Sequence, residues 1–270
     1  MRDVELYIKK RNQAEYTLSS VMSQGFKVLT VNISGPQITP SYEMPAGSDG
    51  SRLTNISFGQ SVITVECLIR GRRKSEFRLI RDEFYRQFYG REAIQIRSSL
   101  EPGKAFYGVP KSVELVPEKG YAGLAFNLQF DVLKGYRHTP FKSDELVDNI
   151  SKIQFGMNLD IDKLPNYTFK TNSFTVFNPS DVAIDPYIHR HDLKWTIKGK
   201  STGEIKVKNM TNGTSFSIKK PLNGTFTLDG IIGSSDTDFG HVVLDKGNNV
   251  IQVTGLNETN IVVSFPFLYF

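Results

Sequence analysis

Residues 61–90 constrain the fold of this chain more than any other stretch, because they predict a long strand, a basic turn and one amphipathic helix in succession. From Ser61 to Ile69, β-branched apolar residues alternate with more polar ones, which is the period of a strand with one buried face. The sequence GRRK at 71–74 then ends the alternation. We expect much of the first half of the chain to pack around this unit, since it brings two apolar surfaces together.

The helix is predicted over residues 75–89. Ser75 is placed as its N-cap, where the hydroxyl can satisfy a backbone N–H of the first turn, and Glu76 suits the helix dipole. Gly90 is a usual stop signal. One side of the helix carries large apolar residues at helical spacing: Phe77, Ile80, Phe84 and Phe88. No other segment has a helical period of this strength.

The remainder of the first half predicts strands and one long loop. The strands are predicted from alternation and β-branched content at 4–8, 26–33, 93–97, 104–116 and 121–133. Residues 44–55 are rich in Gly, Ser and Asn, which predicts an exposed loop. Loops of this size often carry function as arms, although a mobile tip without a partner is equally compatible. Many strands with one helix indicate a β-dominated domain, for which a barrel is one solution.

The second half has the pattern of a β-sandwich. Short apolar strands from Phe174 onward alternate with turn dipeptides such as Asn212-Gly213 and Asn223-Gly224, and Ile261–Phe270 closes the chain with alternating aromatic residues. We therefore divide the chain into a first domain at 1–136, a linker and entry segment at 137–172, and a sandwich at 173–270. The predicted class is mainly β with one principal helix.

Composition excludes several classes of protein. The 270 residues are 39% hydrophobic and 23% charged, as in a soluble globular protein of two domains. No apolar run approaches the roughly 20 residues that a membrane helix needs. The amino terminus lacks a secretory apolar segment, so we expect folding in a cytoplasm. A single cysteine, Cys67, allows no internal disulfide, and its place in a strand predicts a buried thiol.

Positive charge is concentrated in the first half. Residues 1–135 hold 19 Lys and Arg against 14 Asp and Glu, whereas 136–270 hold 14 of each. The densest basic cluster is formed by Arg70, Arg72, Arg73 and Lys74. It is either a solubilising turn or a surface that meets a polyanion or an acidic partner, and the sequence leaves both open. We name it as a candidate assembly interface.

The sequence contains no recognisable catalytic motif. There is no nucleophile elbow, Walker A or dinucleotide-binding glycine pattern. His189 and His191, with Asp185 or Asp192, supply too few ligands at a fixed spacing to predict a metal site. Acid pairs such as Asp236/Asp238 are more typical of solvated loops than of a glycosidase cleft. We expect no enzyme activity, no cofactor and no metal.

The order of these features resembles the distal tail protein family of long-tailed phages that infect Gram-positive bacteria. In the first half the resemblance lies in SVITVECLIRGRRKSEFRLIRDEFYRQFYG and LAFNLQFDVLKGYR. In the second half it lies in FTVFNPSDVAIDPYI, in LKWTIKGKSTGEIKVKNMTNGTSF and in the final IVVSFPFLYF. It spans nearly the whole chain, without an inserted module.

The resemblance implies an N-terminal, β-barrel-like ring domain and a C-terminal galectin-like β-sandwich. Such proteins form a homohexameric ring that joins the tail tube to the tip or baseplate, with a central channel through which DNA passes only in transit. Implied partners are the tail tube protein, a tail-associated lysin-type tip protein, and, as further candidates, tape measure and receptor-binding proteins. The implied location is the virion tail tip, after synthesis in the host cytoplasm, with no membrane contact.

A carbohydrate-binding module that adheres to the host cell wall is the alternative function. Sugar sites usually combine an aromatic face with polar groups. Trp195, the single tryptophan, is the candidate platform for that alternative. Its place in the alternating LKWTI strand equally suits a role in the sandwich core, which is the more common place for a large aromatic side chain.

Overall fold

The computed structural model describes residues 4–47, 49–117, 119–189, 193–230 and 236–270. The chain packs into two compact units, one formed by the residues up to Arg137 together with Phe270, and the other by His138–Tyr269. The strands β10 (Arg137–His138) and β19 (Leu268–Tyr269) are short. In the described part of the chain, none of the helices combines the length and the apolar character required to cross a membrane.

The first unit is built on one curved antiparallel sheet. Seven of its strands follow the spatial order β2-β1-β7-β8-β9-β6-β3. An antiparallel bridge between Val4 and Val28 brings the β1 end of the sheet back to β3, which gives the barrel-like closure expected from the resemblance. The elements are β1 (Leu6–Lys9), β2 (Tyr16–Thr17), β3 (Phe26–Ile33), β4 (Gln37–Glu43), β5 (Arg52–Gly59), β6 (Ser61–Arg70), α1 (Lys74–Phe88), β7 (Ile94–Ser98), β8 (Glu101–Pro110) and β9 (Gly123–Val132).

Strand β6 and helix α1 form the centre of this unit, as the sequence predicts. β6 pairs with β3 along one edge and with β9 along the other, and its alternate side chains are buried. The four predicted apolar residues of α1 are all buried: Phe77, Ile80, Phe84 and Phe88. The helix apolar face therefore covers the barrel strands and completes a single core.

The N-cap prediction is wrong. Helix α1 begins at Lys74, so Ser75 lies inside the first turn and Arg73 occupies the N-cap position without a side-chain cap bond. The first turn is instead stabilised by Glu76, whose Oε2 accepts a hydrogen bond of 2.6 Å from the backbone N–H of Arg72. A carboxylate at this position also faces the positive end of the helix dipole.

The predicted loop at 44–55 is also wrong in part. Residues 52–55 belong to β5, which pairs with β4 in a separate two-stranded sheet, so only the tip connects the two strands. The predicted strand at 104–116 ends at Pro110, which cannot donate a backbone hydrogen bond to a ladder.

The second unit contains a sandwich of two four-stranded antiparallel sheets, in the orders β11-β18-β13-β16 and β12-β17-β14-β15. The helical piece predicted near 143–153 is present as 3₁₀ turns at Ser143–Glu145 and Val147–Lys152, and a third turn spans Ile161–Lys163. The other elements are β11 (Thr168–Phe169), β12 (Ser173–Asn178), α2 (Pro186–His189), β13 (Lys194–Lys200), β14 (Ile205–Asn209), β15 (Ser215–Ile218), β16 (Asn223–Asp229), β17 (Gly247–Thr254) and β18 (Asn257–Ser264). The predicted class, mainly β with one principal helix, is confirmed.

One predicted hairpin turn is absent from its expected place. Asn223-Gly224 lies within β16, which pairs with β13 over seven residues from Asn223 to Asp229. The continuous ladder satisfies the backbone of this segment, and it outweighs the local preference of the dipeptide for a tight turn. Asn212-Gly213 does form a turn, with Gly213 at a φ of +79°.

Candidate assembly surfaces

The hairpin of β4 and β5 has one apolar and one polar face. Residues that pair across an antiparallel hairpin lie on the same side. Three consecutive pairs on one side are apolar: Ile38 with Phe58, Pro40 with Ile56, and Tyr42 with Leu53. The intervening pairs are polar: Thr39 with Ser57, and Ser41 with Asn55. We call the residues 37–59 the arm and its first set of pairs the apolar ladder.

A bulge completes the apolar ladder. The register shifts between Ser41 and Tyr42, so that Leu53 instead of Thr54 lies opposite Tyr42. The Thr54 hydroxyl donates a 3.0 Å hydrogen bond to the carbonyl oxygen of Ser41. Without this extra residue, the alternation would place a threonine in the ladder.

Most of the apolar ladder is exposed, whereas Phe58 is half-buried and packs on Phe270 with ring centroids 4.8 Å apart. The relative exposure is 57% for Ile38, 63% for Tyr42, 49% for Leu53 and 49% for Ile56. Within the described residues, β4 and β5 pair only with each other, so each keeps one unpaired edge. A two-stranded hairpin is marginally stable by itself, and exposed strand edges are templates for pairing with another chain. The arm thus has the features of a surface that another molecule covers.

Sequence reasoning missed the arm because turn signals surround it. Pro36 and Pro40 indicate breaks, and the Gly- and Ser-rich residues between β4 and β5 indicate a loop. The available signal was the alternation of Ile38, Pro40 and Tyr42, which has the period of a strand. Proline is tolerated there because β4 has a free edge.

The basic cluster surrounds a cleft. Arg70, Arg72, Arg73 and Lys74 all line an open cleft of about 720 Å³ at the start of α1. Tyr121 also lines this cleft. In the part of the chain that the structure describes, none of the four cations forms an ion pair with a carboxylate. Their charge therefore remains available at the surface.

The backbone under this cleft is held firmly. The N–H of Gly71 donates to the carbonyl of Ala122 at 2.8 Å, and the N–H of Arg70 donates to that of Gly25 at 2.7 Å. A Cβ atom at Gly71 would lie 2.8 Å from the backbone nitrogen of Phe77, so only glycine fits there. The basic cluster is thus carried on a closely packed turn.

Trp195 lies in the core and does not form a platform. Its side chain is 1% exposed, and its ring packs edge-on against Phe216 with centroids 5.9 Å apart. A sugar needs an open aromatic face, which this ring does not present. The platform interpretation of Trp195 is therefore wrong, because β13 turns this side chain into the space between the two sheets.

The histidine residues weighed as metal ligands lie partly outside the described residues, since His191 and Asp192 are not among them. Asp185 accepts a 2.8 Å hydrogen bond from the backbone N–H of Tyr187, and its Oδ1 lies 3.6 Å from Nε2 of His241. In the described ranges, no group of three or more His, Cys, Asp or Glu residues is arranged to hold a metal ion. Asp238 accepts backbone hydrogen bonds from Ser217 and Gly240, which is a structural use of a carboxylate.

Cys67 is expected to be unreactive in the folded protein. Its side chain is buried in β6, and desolvation by burial raises the pKa of the thiol to about 12, so almost no thiolate exists at pH 8. We expect no reaction with a disulfide reagent such as DTNB under native conditions, and one equivalent of released thiolate in guanidinium. Rapid stoichiometric labelling of the native protein would contradict the burial of this residue.

The comparisons with known proteins agree with this architecture. Residues 11–132 match a family model described as the phage tail protein RIFT-related domain. The crystal structure of the SPP1 Dit (gp 19.1) protein, described as a paradigm of the hub adsorption apparatus in phages infecting Gram-positive bacteria, aligns with a TM-score of 0.65 at 15% identity, over 97% of this chain and 99% of that chain. The phage p2 baseplate in its activated conformation with Sr aligns with a TM-score of 0.45 at 11% identity, over 97% of each chain. No curated protein sequence matches the chain.

The matched residues lie in the first unit, so this part of the chain is similar to the phage tail RIFT-related domain. The fold over nearly the whole chain is that of the SPP1 Dit protein. The fold is therefore the one that the resemblance to the distal tail protein family implies.

Proposed function

We propose that this protein is a structural hub of a siphophage tail tip. It assembles into a hexameric ring that joins the tail tube to the tip and its receptor-binding apparatus, and the ring leaves a central channel for DNA. Its contribution is shape and self-complementary surface, without catalysis. The fold shared with the SPP1 Dit protein supports this proposal, because that protein is described as a hub of an adsorption apparatus.

The exposed apolar ladder of the arm is the observation that most directly supports assembly into a ring. Copies of one chain form a closed ring when a surface on each copy fits a different surface on the next. The arm offers a surface of this kind, with unpaired strand edges and large apolar side chains that water now covers. We assign its occupant as the neighbouring copy of this chain.

Each part of the chain has a proposed role in the hub. Residues 1–136 form the ring domain, since they contain the family match and the arm. Residues 173–270 form a galectin-like sandwich, and 137–172 lead into it. Proposed partners are the tail tube protein and a lysin-type tip protein, with tape measure and receptor-binding proteins as further candidates, and the proposed location is the virion tail tip.

The mass of the purified protein in solution tests the ring. Light scattering after size-exclusion chromatography, followed by negative-stain electron microscopy, is expected to give six copies and a ring with an open centre. A protein that stays monomeric at all concentrations and also in the presence of its tube and tip proteins would overturn the proposal.

The basic cluster is proposed to contact an acidic surface on an adjacent ring of the tail. Reversing two of its charges with Arg72→Glu and Arg73→Glu is expected to reduce infectious particles in a complementation assay by about tenfold or more, because like charges brought together at an interface cost several kcal/mol. The folded mass and thermal stability should not change, since both side chains are exposed.

A matched control is available on helix α1, which follows the cluster. Arg78→Glu with Arg86→Glu makes the same change in net charge at exposed positions away from the cleft. This control is expected to support normal assembly. If both double variants gave equal titres of infectious particles, the proposed contact would be refuted, and the cluster would be an ordinary solvated turn.

A further inference from the structure

The second unit carries a basic cleft that none of the roles above uses. It lies on the sheet β11-β18-β13-β16, has a volume of about 460 Å³, and is lined by Lys170, Lys198 and Lys200. All three lysines are exposed. Asn223, Thr259 and Asn260 also line it, so that amide and hydroxyl groups lie among the three cations.

Two glycines are among the residues that line the cleft. Gly199 and Gly224 lie opposite each other in the β13–β16 ladder. A Cβ atom on Gly224 would meet nothing within 4 Å, and its φ of +128° disfavours any residue with a side chain. The pairing of β13 with β18 also shifts register between Lys198 and Lys200. Irregularities of this kind often re-aim side chains at functional positions of a sheet.

The cross-strand partners recorded for Lys198 and Lys200 are uncharged. Lys198 lies opposite Thr225 on one side and Asn260 on the other, and Lys200 lies opposite Asn223 and Asn257. Lys194, four residues earlier in β13, lies opposite Asp229 instead. In the described part of the chain, no ion pair joins any of the three cleft lysines to a carboxylate.

The spacing of the lysines suits an extended ligand with several anionic groups. Residues two apart on a strand are separated by about 6–7 Å, and lysines on strands two apart in a sheet by about 9–10 Å. β18 lies between β11 and β13 in the sheet, and Lys170 directly follows the last β11–β18 pair, Phe169 with Ile261. Asn260 therefore lies between Lys170 and Lys198, where its amide can bind a hydroxyl group between two anions.

We propose that this cleft binds an anionic, hydroxyl-rich chain of the polyol-phosphate type. The lysines contact the phosphate groups, and Asn223, Thr259 and Asn260 contact the hydroxyl groups between them. Among the described residues, no aromatic side chain lines the cleft, so it lacks the stacking surface on which bases of a single-stranded nucleic acid or neutral sugar rings usually bind. The site does not depend on ring formation, so its test is separate from that of the hub.

Binding of a fluorescent poly(glycerol phosphate) chain to the full-length protein tests the proposal. Lys198→Gln with Lys200→Gln is expected to weaken the affinity about tenfold or more, since two exposed charge-assisted contacts to the anionic chain are lost. Affinity for the wild type should also fall as salt rises. Circular dichroism of the variant should match the wild type, because both side chains point into solvent.

The opposite sheet supplies a matched control. Lys206 and Lys208 of β14 have the same two-residue spacing and lie outside the cleft. Lys206→Gln with Lys208→Gln is expected to leave the affinity unchanged. The proposal is overturned if this control weakens binding as much as the cleft variant, if the wild type does not bind the probe, or if uncharged dextran or an unrelated single-stranded DNA competes equally well.

Discussion

Replacing Phe84 by alanine is expected to lower the free energy of unfolding by about 3–5 kcal/mol, which is the usual cost of removing a fully buried phenylalanine. The Phe84 ring lies at the centre of the aromatic packing of α1. Its centroid is 4.8–6.4 Å from those of five other rings: Phe26, Tyr85, Phe88, Tyr89 and Phe126. The loss therefore leaves a cavity among side chains that belong to α1, β3 and β9 together.

Guanidinium denaturation followed by circular dichroism measures this effect. Leu79→Ala is the matched control, since Leu79 lies on the same helix but is 54% exposed. We expect the control to change the free energy of unfolding by less than about 0.5 kcal/mol. If Phe84→Ala lowered the free energy of unfolding no more than the control does, the central place of this helix in the core would be contradicted.

Replacing Ile38 and Ile56 together by serine is expected to abolish ring assembly and leave the chain folded. Both side chains belong to the apolar ladder and are about half exposed, so little of the chain's own core is lost. In the proposed ring, the loss falls on the contact with the neighbouring copy, which would bury this ladder. Light scattering should then report the mass of one chain, with a circular dichroism spectrum equal to that of the wild type.

The polar face of the same arm gives the control for that variant. Thr39→Ala with Ser57→Ala changes one cross-strand pair on the opposite side of the hairpin. This variant should still form rings. If the serine variant formed rings as readily as the alanine control, the apolar ladder would not be the assembly surface.

Much of the first unit follows from local periodicity. The bounds of β3 are those predicted, and the four buried residues of α1 are those that the helical spacing selects. These features are predictable because local periodicity marks the apolar face of a long helix or strand. The start of α1 is different. Its first turn is stabilised by Glu76 instead of Ser75, and a choice between two nearby polar side chains depends on the detailed path of the basic turn.

The arm and the basic cleft of the sandwich could not be predicted in this way. The apolar ladder depends on which residues of β4 and β5 are paired, and a bulge shifts that pairing by one residue. The cleft joins Lys170 to Lys198 across a strand that follows much later in the chain. Pairings between distant segments are set by the whole sheet and leave little trace in either segment alone.

By itself, the sequence determined the mainly β class, the central strand and helix, and the family that the order of its motifs resembles. Only the tertiary structure decided which side chains are enclosed and which are left facing water. Trp195 became core and the apolar ladder of the arm remained exposed, although both lie in alternating strands. The physical reason is that alternation specifies two faces of a strand, whereas the face that is buried depends on what the rest of the chain brings against it.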